Sequence, residues 1–217
     1  MSEMKAQSSV VVIGDVVDSR RAQDRVGLHE RLVAVLAEAG ARFGSDLALT
    51  VGDEYQGAFT DLGSALRATW WVQLQLLPEV DVRHGVGVGP VQLLDADTGI
   101  QDGPGWWAAR AAIEHVEREA ARPRARAART GIELAPGVRP DAEPWLPALR
   151  SALLARDELT ARLGARSVSL VRGLLDGMTQ QQLAEAEGVS ASAVSQRLRT
   201  AGAGTLLAVD AWTGELR

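Results

Sequence analysis

The sequence predicts an α+β protein in which helices cover one sheet and a small all-helical domain follows. Three observations support this prediction. Short apolar, β-branched runs alternate with segments of helical periodicity over residues 9–119. Arginine, alanine, proline and glycine then dominate residues 122–147, and only helical periodicity remains after them. We therefore divide the chain into a mixed domain, residues 1–145, and a helical domain, residues 146–217.

The first two predicted elements are a strand and a helix. Residues 9–14 form a short β-branched run, which is typical of a buried central strand. Residues 15–21 follow as a polar turn that is rich in carboxylates. The next segment carries one apolar stripe at helical spacing, formed by Leu28, Leu32, Val35, Leu36, Ala39 and Phe43.

A hairpin and a second helix come next. Residues 47–51 alternate as a strand, residues 52–53 make a turn, and residues 54–59 return as a second strand. The acidic residues therefore lie at the hairpin tip. Asp61 is the predicted N-cap of a helix that continues to Leu74.

The rest of the mixed domain contains further strands and one helix. Residues 80–88 and 91–94 are predicted to pair with each other around the turn at residues 89–90. A helix follows over residues 106–119. The linking residues beyond it hold one predicted strand, over residues 130–134.

Composition excludes several classes of protein. The chain has no cysteine, so disulfides, thiol nucleophiles and cysteine-ligated zinc are excluded. Lys5 is the only lysine, which excludes a Walker-type phosphate loop. The net charge of −5 argues against non-specific coating of nucleic acid. No apolar run reaches the roughly 20 residues that span a bilayer, and the N-terminus lacks a signal-peptide pattern, so we expect a cytoplasmic protein without membrane contact.

Four carboxylates indicate a metal site. Asp53 and Glu54 are adjacent at the hairpin tip, and Asp15 and Asp18 follow the first strand. If that strand lies beside the hairpin, these carboxylates converge at one end of the sheet, where repulsion favours a shared cation. Oxygen ligands with retained waters suit Mg²⁺ or Mn²⁺ with a triphosphate. The alternative is a simple turn with a solvated Glu54.

Several motifs resemble those of known families. Residues 13–19, Ile-Gly-Asp-Val-Val-Asp-Ser, resemble the first metal-binding strand of class III nucleotidyl cyclases. Residues 52–55, Gly-Asp-Glu-Tyr, resemble their second metal hairpin and the signature turn of diguanylate cyclases. Residues 82–91 resemble the cyclase pattern Arg-x-Gly-x-x-x-Gly-x-Val, and residues 106–110 the helix ending in Ala-Ala-Arg. More narrowly, residues 13–15, Ile-Gly-Asp, residues 52–57, Gly-Asp-Glu-Tyr-Gln-Gly, and a C-terminal helix-turn-helix are together similar to the SatD family of bacterial proteins.

The resemblance implies a ferredoxin-like sheet of the nucleotidyl cyclase type and roles for single residues. It makes Asp15 and Asp53 the metal-binding carboxylates and Arg110 the arginine that stabilises the transition state. The backbone of Val16 and Val17 faces the phosphates in this interpretation. We assign Ser19, in the same loop, and Trp106 to the nucleotide as well.

Two positions depart from the cyclase pattern. Trp106 stands where cyclases have an asparagine, and Leu49 where purine-selecting cyclases have a lysine. These departures weaken the prediction of cyclisation chemistry, which depends on positioned charge, and leave the metal site intact. The paired tryptophans Trp70–Trp71 and Trp106–Trp107 add a further alternative, because they are interpreted either as core residues or as a base-stacking or homodimer surface.

The C-terminal segment has the sequence pattern of a helix-turn-helix. Thr179 begins one helix with a capping box, Gly188 makes the turn, and Ser190 caps the second helix. The outward face of the second helix would hold Ser192, Ser195, Gln196 and Arg199, which can reach DNA bases or phosphates. The alternative is a helical bundle that only caps the first domain.

These observations predict a cytoplasmic regulator that couples a metal- and nucleotide-binding domain to a DNA-binding helix-turn-helix. The alternative is an enzyme, a metal-dependent nucleotidyl cyclase or nucleotidyltransferase. A third possibility is a structural protein. The expected partners are a nucleoside triphosphate or another nucleotide, DNA and a second copy of the chain, because two-fold symmetry would serve both a cyclase-like site and a helix-turn-helix.

Overall fold

The computed structural model describes residues 8–18, 24–95, 99–138 and 143–216, and it confirms a mixed α+β architecture. The strands are β1 Ser8–Val16, β2 Ala48–Leu49, β3 Tyr55–Phe59, β4 Val82–Pro90, β5 Gln92–Asp95, β6 Ile100–Asp102 and β7 Thr130–Leu134. The helices are α1 Arg25–Phe43, α2 Leu62–Leu76, α3 Pro104–Ala120, α4 Leu146–Ala161, α5 Ala165–Leu175, α6 Gln180–Glu187, α7 Ala191–Thr200 and α8 Ala203–Thr213.

The main sheet has five strands in the order β2-β3-β1-β4-β7. The central strand β1 is antiparallel to both β3 and β4, and β7 is parallel to β4. The hairpin of β2 and β3 confirms the prediction for residues 47–59, and β7 confirms the strand predicted in the linking residues. The hairpin tip therefore lies next to the end of β1, as the predicted site requires.

The two faces of β1 contact different helices, because successive side chains of a strand point to opposite sides. Val10, Val12 and Val16 belong to the large core that α1 and α2 cover. Val11 and Ile13 pack against α3 on the other face. An apolar run without alternation was the signal for this strand, and burial on both faces is its physical cause.

Helix α3 lies unusually close to β4, because β4 has glycines on the side that faces it. A Cβ atom at Gly85 would lie 2.2 Å from the carbonyl oxygen of Ala109. At Gly87 it would lie 2.1 Å from the carbonyl oxygen of Gly105. The alternating glycines thus let two backbones touch, and this contact fixes where α3 presents its side chains.

One predicted strand pair is wrong. Residues 91–94 were expected to pair with residues 80–88, but β5 pairs with β6 in a separate two-stranded sheet. The reason is that β4 already has β1 on one side and β7 on the other, so neither of its edges is free.

Both tryptophans of α2 are buried, although adjacent residues on a helix cannot share a face. Trp71 lies in the core of the sheet, and Trp70 lies in a second core formed with α5–α8. The interpretation of this pair as core residues is therefore confirmed. The reason is that α2 is covered on both sides, by the sheet and by the C-terminal helices.

Helix α4 covers the free edge of β7 with polar side chains. Asp157 accepts hydrogen bonds from the backbone N–H groups of Arg129 and Thr130, each at 2.7 Å. Arg150 donates through Nε to the carbonyl oxygen of Ile132 at 3.2 Å. Arg150 and Asp157 are two helical turns apart and so lie on one face. Their side chains satisfy backbone groups that a further strand would otherwise pair.

The two helices of the predicted helix-turn-helix are present. Thr179 and Gln182 form the capping box of α6, Gly188 is left-handed at φ 65°, and Ser190 caps α7. The helix that follows them, α8, packs on the first part of the chain through the two-point ion pair of Arg67 and Asp210, and the core of α5–α8 includes Trp70 of α2. A separate helix-turn-helix domain is therefore not evident, and the boundary at residue 145 stays a prediction. Within the described ranges, no helix has the length and apolar character needed to cross a membrane.

Candidate functional site

A chain of ion pairs lies at the C-terminal end of β1, on the α3 side of the sheet. Arg83 donates to both oxygens of Asp15, through Nε at 3.0 Å and Nη2 at 2.9 Å. The remaining Nη1 lies 3.0 Å from Oε1 of Glu117. One arginine thus serves two carboxylates, and this group of three carries a net negative charge.

Strand register brings the partners together. Asp15 of β1 and Arg83 of β4 are directly opposite each other in the antiparallel ladder. Tyr55 of β3 is opposite Gly14, so Glu54 comes level with Asp15 on the other flank of β1. Successive side chains along a strand point to opposite faces of the sheet. Asp15, Arg83 and Glu54, which directly precedes β3, occupy matching positions on neighbouring segments of the sheet, so their charged side chains all point toward α3.

A second ion pair joins the hairpin to α3. Arg110 donates to both oxygens of Glu54, through Nη1 at 2.7 Å and Nη2 at 2.8 Å. Arg110 and Glu117 are seven residues apart on α3, which places both on the face that looks at the sheet end. The close packing of α3 on the β4 glycines places Arg110 within hydrogen-bonding distance of Glu54.

The charges of the site affect the pKa of both arginines. The hydrogen bond to Glu54, with the charges of Glu54, Glu114 and Asp15, raises the pKa of Arg110 above its usual value. Burial alone would lower the pKa of Arg83, but the hydrogen bond and charge of Asp15 raise it. The charge of Asp15 therefore stabilises the charged form of Arg110 in addition to the direct partner Glu54.

A buried polar row lies on the opposite side of the same strands. Tyr55 Oη is 2.6 Å from Nε2 of His84, a hydrogen bond whose donor depends on the histidine tautomer. Burial, and then the positive charge of Arg156, lower the pKa of His84 to about 3. Burial and the charge of Asp15 raise the pKa of Tyr55. Both groups are therefore neutral at physiological pH.

The four carboxylates predicted to bind metal differ in their surroundings. Asp15 and Glu54 are paired with arginines. Asp53 is half-buried and makes no ion pair with any described residue, and Asp18 has a left-handed backbone at φ 56°. Within the described ranges, no three histidine or carboxylate side chains form a group that could hold a metal ion by themselves. The expected cluster of bare carboxylates is thus replaced by carboxylates alternating with arginines.

The predicted nucleotide contacts need one correction. The N–H of Val17 donates to the carbonyl oxygen of Asp81 at 2.9 Å, and Val16 is paired with Val82 in the sheet. The amide of Val17 therefore continues the β1–β4 ladder, and its N–H is not free for phosphate, while the role given to the backbone of Val16 stays a prediction. Ser19 lies outside the described residues.

The tryptophans that open α3 have different surroundings. Trp106 is half-buried against the small core under α3. Its neighbour Trp107 is 62% exposed, and its Nε1 donates to Asp102 at 2.9 Å. Trp107 is therefore the more accessible of the two for a ligand or a second chain.

Sequence reasoning missed two charged residues of the site. Arg83 lies inside the Arg-x-Gly pattern, which predicts no ion pair for it, and Glu117 belongs to none of the motifs. The available signal was the position of Arg83, directly after a buried valine and before the glycines that α3 contacts. No signal in the sequence pairs Glu54 with Arg110, because this contact depends on where α3 crosses the sheet.

The predicted DNA-binding face of α7 is largely exposed. Val194 and Leu198 are buried, while Ser192, Gln196 and Arg199 face solvent. Ser195 is half-buried at the margin of this face. The side chain of Ser190 accepts from the N–H of Ala193 at 3.2 Å and caps the helix. The exposed residues thus occur at helical spacing, on the side opposite the core.

The structure is similar to solved nucleotidyl cyclase domains, at low identity. The dimeric guanylyl cyclase domain of the RhoGC fusion protein from Blastocladiella emersonii has 17% identity and a TM-score of 0.42, covering 50% of this chain and 74% of its own. The guanylate cyclase domain of RhGC from Catenaria anguillulae, solved with GTP, has 16% identity and a TM-score of 0.41, over 50% and 73%. An adenylate/guanylate cyclase/hydrolase from Silicibacter pomeroyi has 19% identity and a TM-score of 0.42, over 50% and 70%.

No curated protein sequence matches the chain. The SatD family model matches residues 9–130, which is more than half of the chain and includes β1, the hairpin, β4 and α3. Every residue of the ion-pair chain described above lies within that match. The protein belongs to the SatD family.

Proposed function

We propose that the end of the sheet around Asp15, Asp53 and Arg110 binds a nucleoside triphosphate together with Mg²⁺ or Mn²⁺. The observation that carries this proposal is the alternation of carboxylates and arginines at one sheet end. Carboxylates attract the cation, and arginines suit the planar, two-point recognition of phosphate. A structural salt-bridge cluster would not need a carboxylate such as Asp53, which has no ion pair within the described part of the chain.

The donor set fits a cation that arrives with its nucleotide. Mg²⁺ is usually held by one or two carboxylates, with substrate phosphates and waters completing its shell. Asp15 and Asp53 are the two candidates. Asp15 keeps lone pairs beyond those that Arg83 uses, and Arg83 shares its charge with Glu117. We therefore expect weak metal binding alone and much stronger binding of metal with triphosphate.

The activity that we propose is nucleotidyl cyclisation. The ribose 3′ oxygen would bond to the α-phosphorus, pyrophosphate would leave, and the hydroxyl proton would pass to solvent. The bound cation supplies charge neutralisation on the phosphates. Arg110 is half-exposed at the site and can stabilise the negative charge that develops on the transferred group. The proposal concerns this reaction class and not a particular base.

Incubation with each of the four nucleoside triphosphates and Mn²⁺ tests the proposal. We expect mass spectrometry to detect a cyclic nucleotide and pyrophosphate, and calorimetry to detect binding that depends on the metal. Asp53→Asn should abolish both, while Asp176→Asn, at an exposed carboxylate paired with Arg42, should leave both unchanged. Absence of binding to all four nucleotides would contradict the proposal. Binding without product would restrict it to a nucleotide-sensing role.

We also propose that the chain works as a homodimer through its first part. Exposed apolar side chains occur together on the small sheet and the start of α3, namely Leu93, Leu94, Ile100 and Trp107. Light scattering should give twice the mass of one chain at micromolar concentration. A monomer mass, both with and without nucleotide, would contradict this proposal.

A second candidate function, DNA binding and gene regulation by α6 and α7, is favoured by the exposed polar face of α7. Arg199 makes no ion pair with any described residue and is available to a phosphate. A cytoplasmic regulator would use this face as the output of nucleotide binding. Titration against a genomic fragment library at two salt concentrations tests it, and enrichment of no fragment would remove this function.

A further inference from the structure

Glu54 and Arg110 hold each other at two points, and neither end can move freely. The backbone of Glu54 is fixed by the hairpin turn, since its carbonyl oxygen accepts from the N–H of Thr50 at 2.9 Å and its N–H donates to Val51 at 3.1 Å. Arg110 belongs to α3, which the β4 glycines hold close to the sheet. The ion pair therefore joins the hairpin to α3 within the proposed site.

The ion pair uses a larger share of the hydrogen-bonding groups of Glu54 than of Arg110. Both oxygens of Glu54 accept from the guanidinium. Arg110 uses only two of its five N–H donors for these bonds, so three remain. The side chain of Arg110 is 46% exposed, against 31% for Glu54. A phosphate can therefore reach Arg110 while the ion pair stays intact.

Charge balance separates Glu54 from the other carboxylates. Glu54 and Arg110 together are neutral, whereas Asp15 and Glu117 share the single charge of Arg83. Asp53, the residue before Glu54, makes no ion pair with described residues. The negative charge available to a cation thus lies on Asp15 and Asp53, and the charge of Glu54 is already compensated.

We propose that Glu54 is a positioning residue, which holds the guanidinium of Arg110 against the triphosphate and does not bind the metal. This proposal rests on the proposed nucleotide site. An exposed arginine samples many rotamers, and the two-point pair selects one of them before the nucleotide arrives. It assigns to Glu54 a role different from that of Asp53, although the two residues are adjacent.

A double-mutant cycle on nucleotide affinity tests the proposal. The four chains are wild type, Glu54→Gln, Arg110→Ala and the double variant. The probe is whichever of ATP, GTP, CTP and UTP wild type binds most tightly, at saturating Mg²⁺. When Arg110 is absent, Glu54→Gln only removes repulsion and should tighten binding. When Arg110 is present, Glu54→Gln also releases the guanidinium. The change in nucleotide affinity caused by Glu54→Gln should therefore be less favourable, by at least about threefold, than the change measured in the Arg110→Ala background.

The sign of the coupling decides between the roles of Glu54. Equal effects in both backgrounds overturn the proposal, and so does a larger tightening when Arg110 is present, which would mean that Glu54 withholds the arginine from phosphate. A weaker apparent affinity for Mg²⁺ in Glu54→Gln would instead make Glu54 a metal ligand. Glu54→Asp, which keeps the charge, should recover part of the coupling.

A remote ion pair is the matched control. Arg162 donates to Glu158 at 3.0 and 2.7 Å at the C-terminal end of α4, and the cycle of Glu158→Gln with Arg162→Ala should show no coupling to nucleotide binding. Melting temperatures of all variants should confirm that they fold. If wild type binds none of the four nucleotides, the proposed function fails and this proposal with it. If wild type binds one and the cycle shows no coupling, only the role of Glu54 is wrong.

Discussion

The Tyr55 hydroxyl lies 2.6 Å from Nε2 of His84, buried on the face of the sheet opposite to the ion pairs. The two residues follow Glu54 and Arg83 in the sequence, so one strand step separates each neutral, fully buried group from a charged, partly buried one. Thr130 of β7 is opposite His84 in the parallel pair. A row of buried polar residues, Tyr55, His84 and Thr130, therefore lies on the other face of the sheet from the site. It ends at α4, where Asp157 accepts from the N–H of Thr130.

The pH dependence of stability should report the burial of His84. Its pKa is about 3 in the folded chain and about 6.5 when unfolded. The unfolded state thus binds more protons between these values, so stability is lost as pH falls below about 6.5. At pH 5 the loss from this residue is about 2 kcal/mol relative to pH 7. Urea unfolding at the two pH values measures it.

The matched variant for this prediction is His84→Gln, which cannot titrate and can still reach Tyr55. Its stability at pH 7 should be lower than that of wild type, and its loss between pH 7 and pH 5 should be smaller by about 2 kcal/mol. An equally steep dependence in the variant would show that His84 is not the group responsible.

Asp157 should contribute strongly to stability. It is fully buried next to Arg156 and accepts the N–H groups at the start of β7. Asp157→Asn leaves the buried Arg156 without its counter-charge, and we expect a loss of about 3–5 kcal/mol in the free energy of unfolding. The neighbouring Glu158→Gln, at an exposed position, should cost less than about 1 kcal/mol. Similar losses in the two variants would contradict the role given to Asp157.

The contact between α3 and β4 should tolerate no side chain at Gly87. Gly87→Ala would place a Cβ 2.1 Å from the carbonyl oxygen of Gly105, and α3 must then shift away from the sheet. We expect a loss of about 1–3 kcal/mol, measured by urea unfolding. Gly204→Ala in α8, where a Cβ meets no atom within 4 Å, is the control. If Gly87→Ala is as stable as wild type, the close contact is not required.

The DNA-binding hypothesis makes separate predictions for two residues of α7. Gln196→Ala should relax sequence preference and cost about 1–3 kcal/mol at the preferred fragment, because glutamine can pair with adenine through two hydrogen bonds. Arg199→Ala should weaken binding to all fragments alike and reduce the salt dependence. Arg162→Ala, at an exposed arginine directly after α4, is the control for lost charge. Equal behaviour of all three variants would favour non-specific attraction.

The sequence predicted single helices and strands better than it predicted which of them pair or pack together. Local signals suffice for β1, for the hairpin around Asp53, for the N-cap at Asp61 and for the capping box of Thr179, since each depends on residues within one or two turns. They fail for β5, because its partner is decided by which edges of β4 are already taken. They also leave open whether Trp70 lies in the core or at a surface, because its burial depends on helices almost a hundred residues away.

The candidate site shows the same division. The sequence by itself determined that Asp53 and Glu54 lie at a hairpin tip and that Asp15 follows a strand, because a tight turn and a strand end are local features. That they meet at one sheet end depends on the pairing of β1 with β3. Only the tertiary structure decided which of them meet an arginine. Arg110 reaches Glu54, and Arg83 reaches Asp15, because strand register and the glycine contact of α3 set distances between segments that are far apart in the chain. Long-range ion pairs form where packed backbones place the charges, and packing of that kind leaves no periodic mark on the sequence.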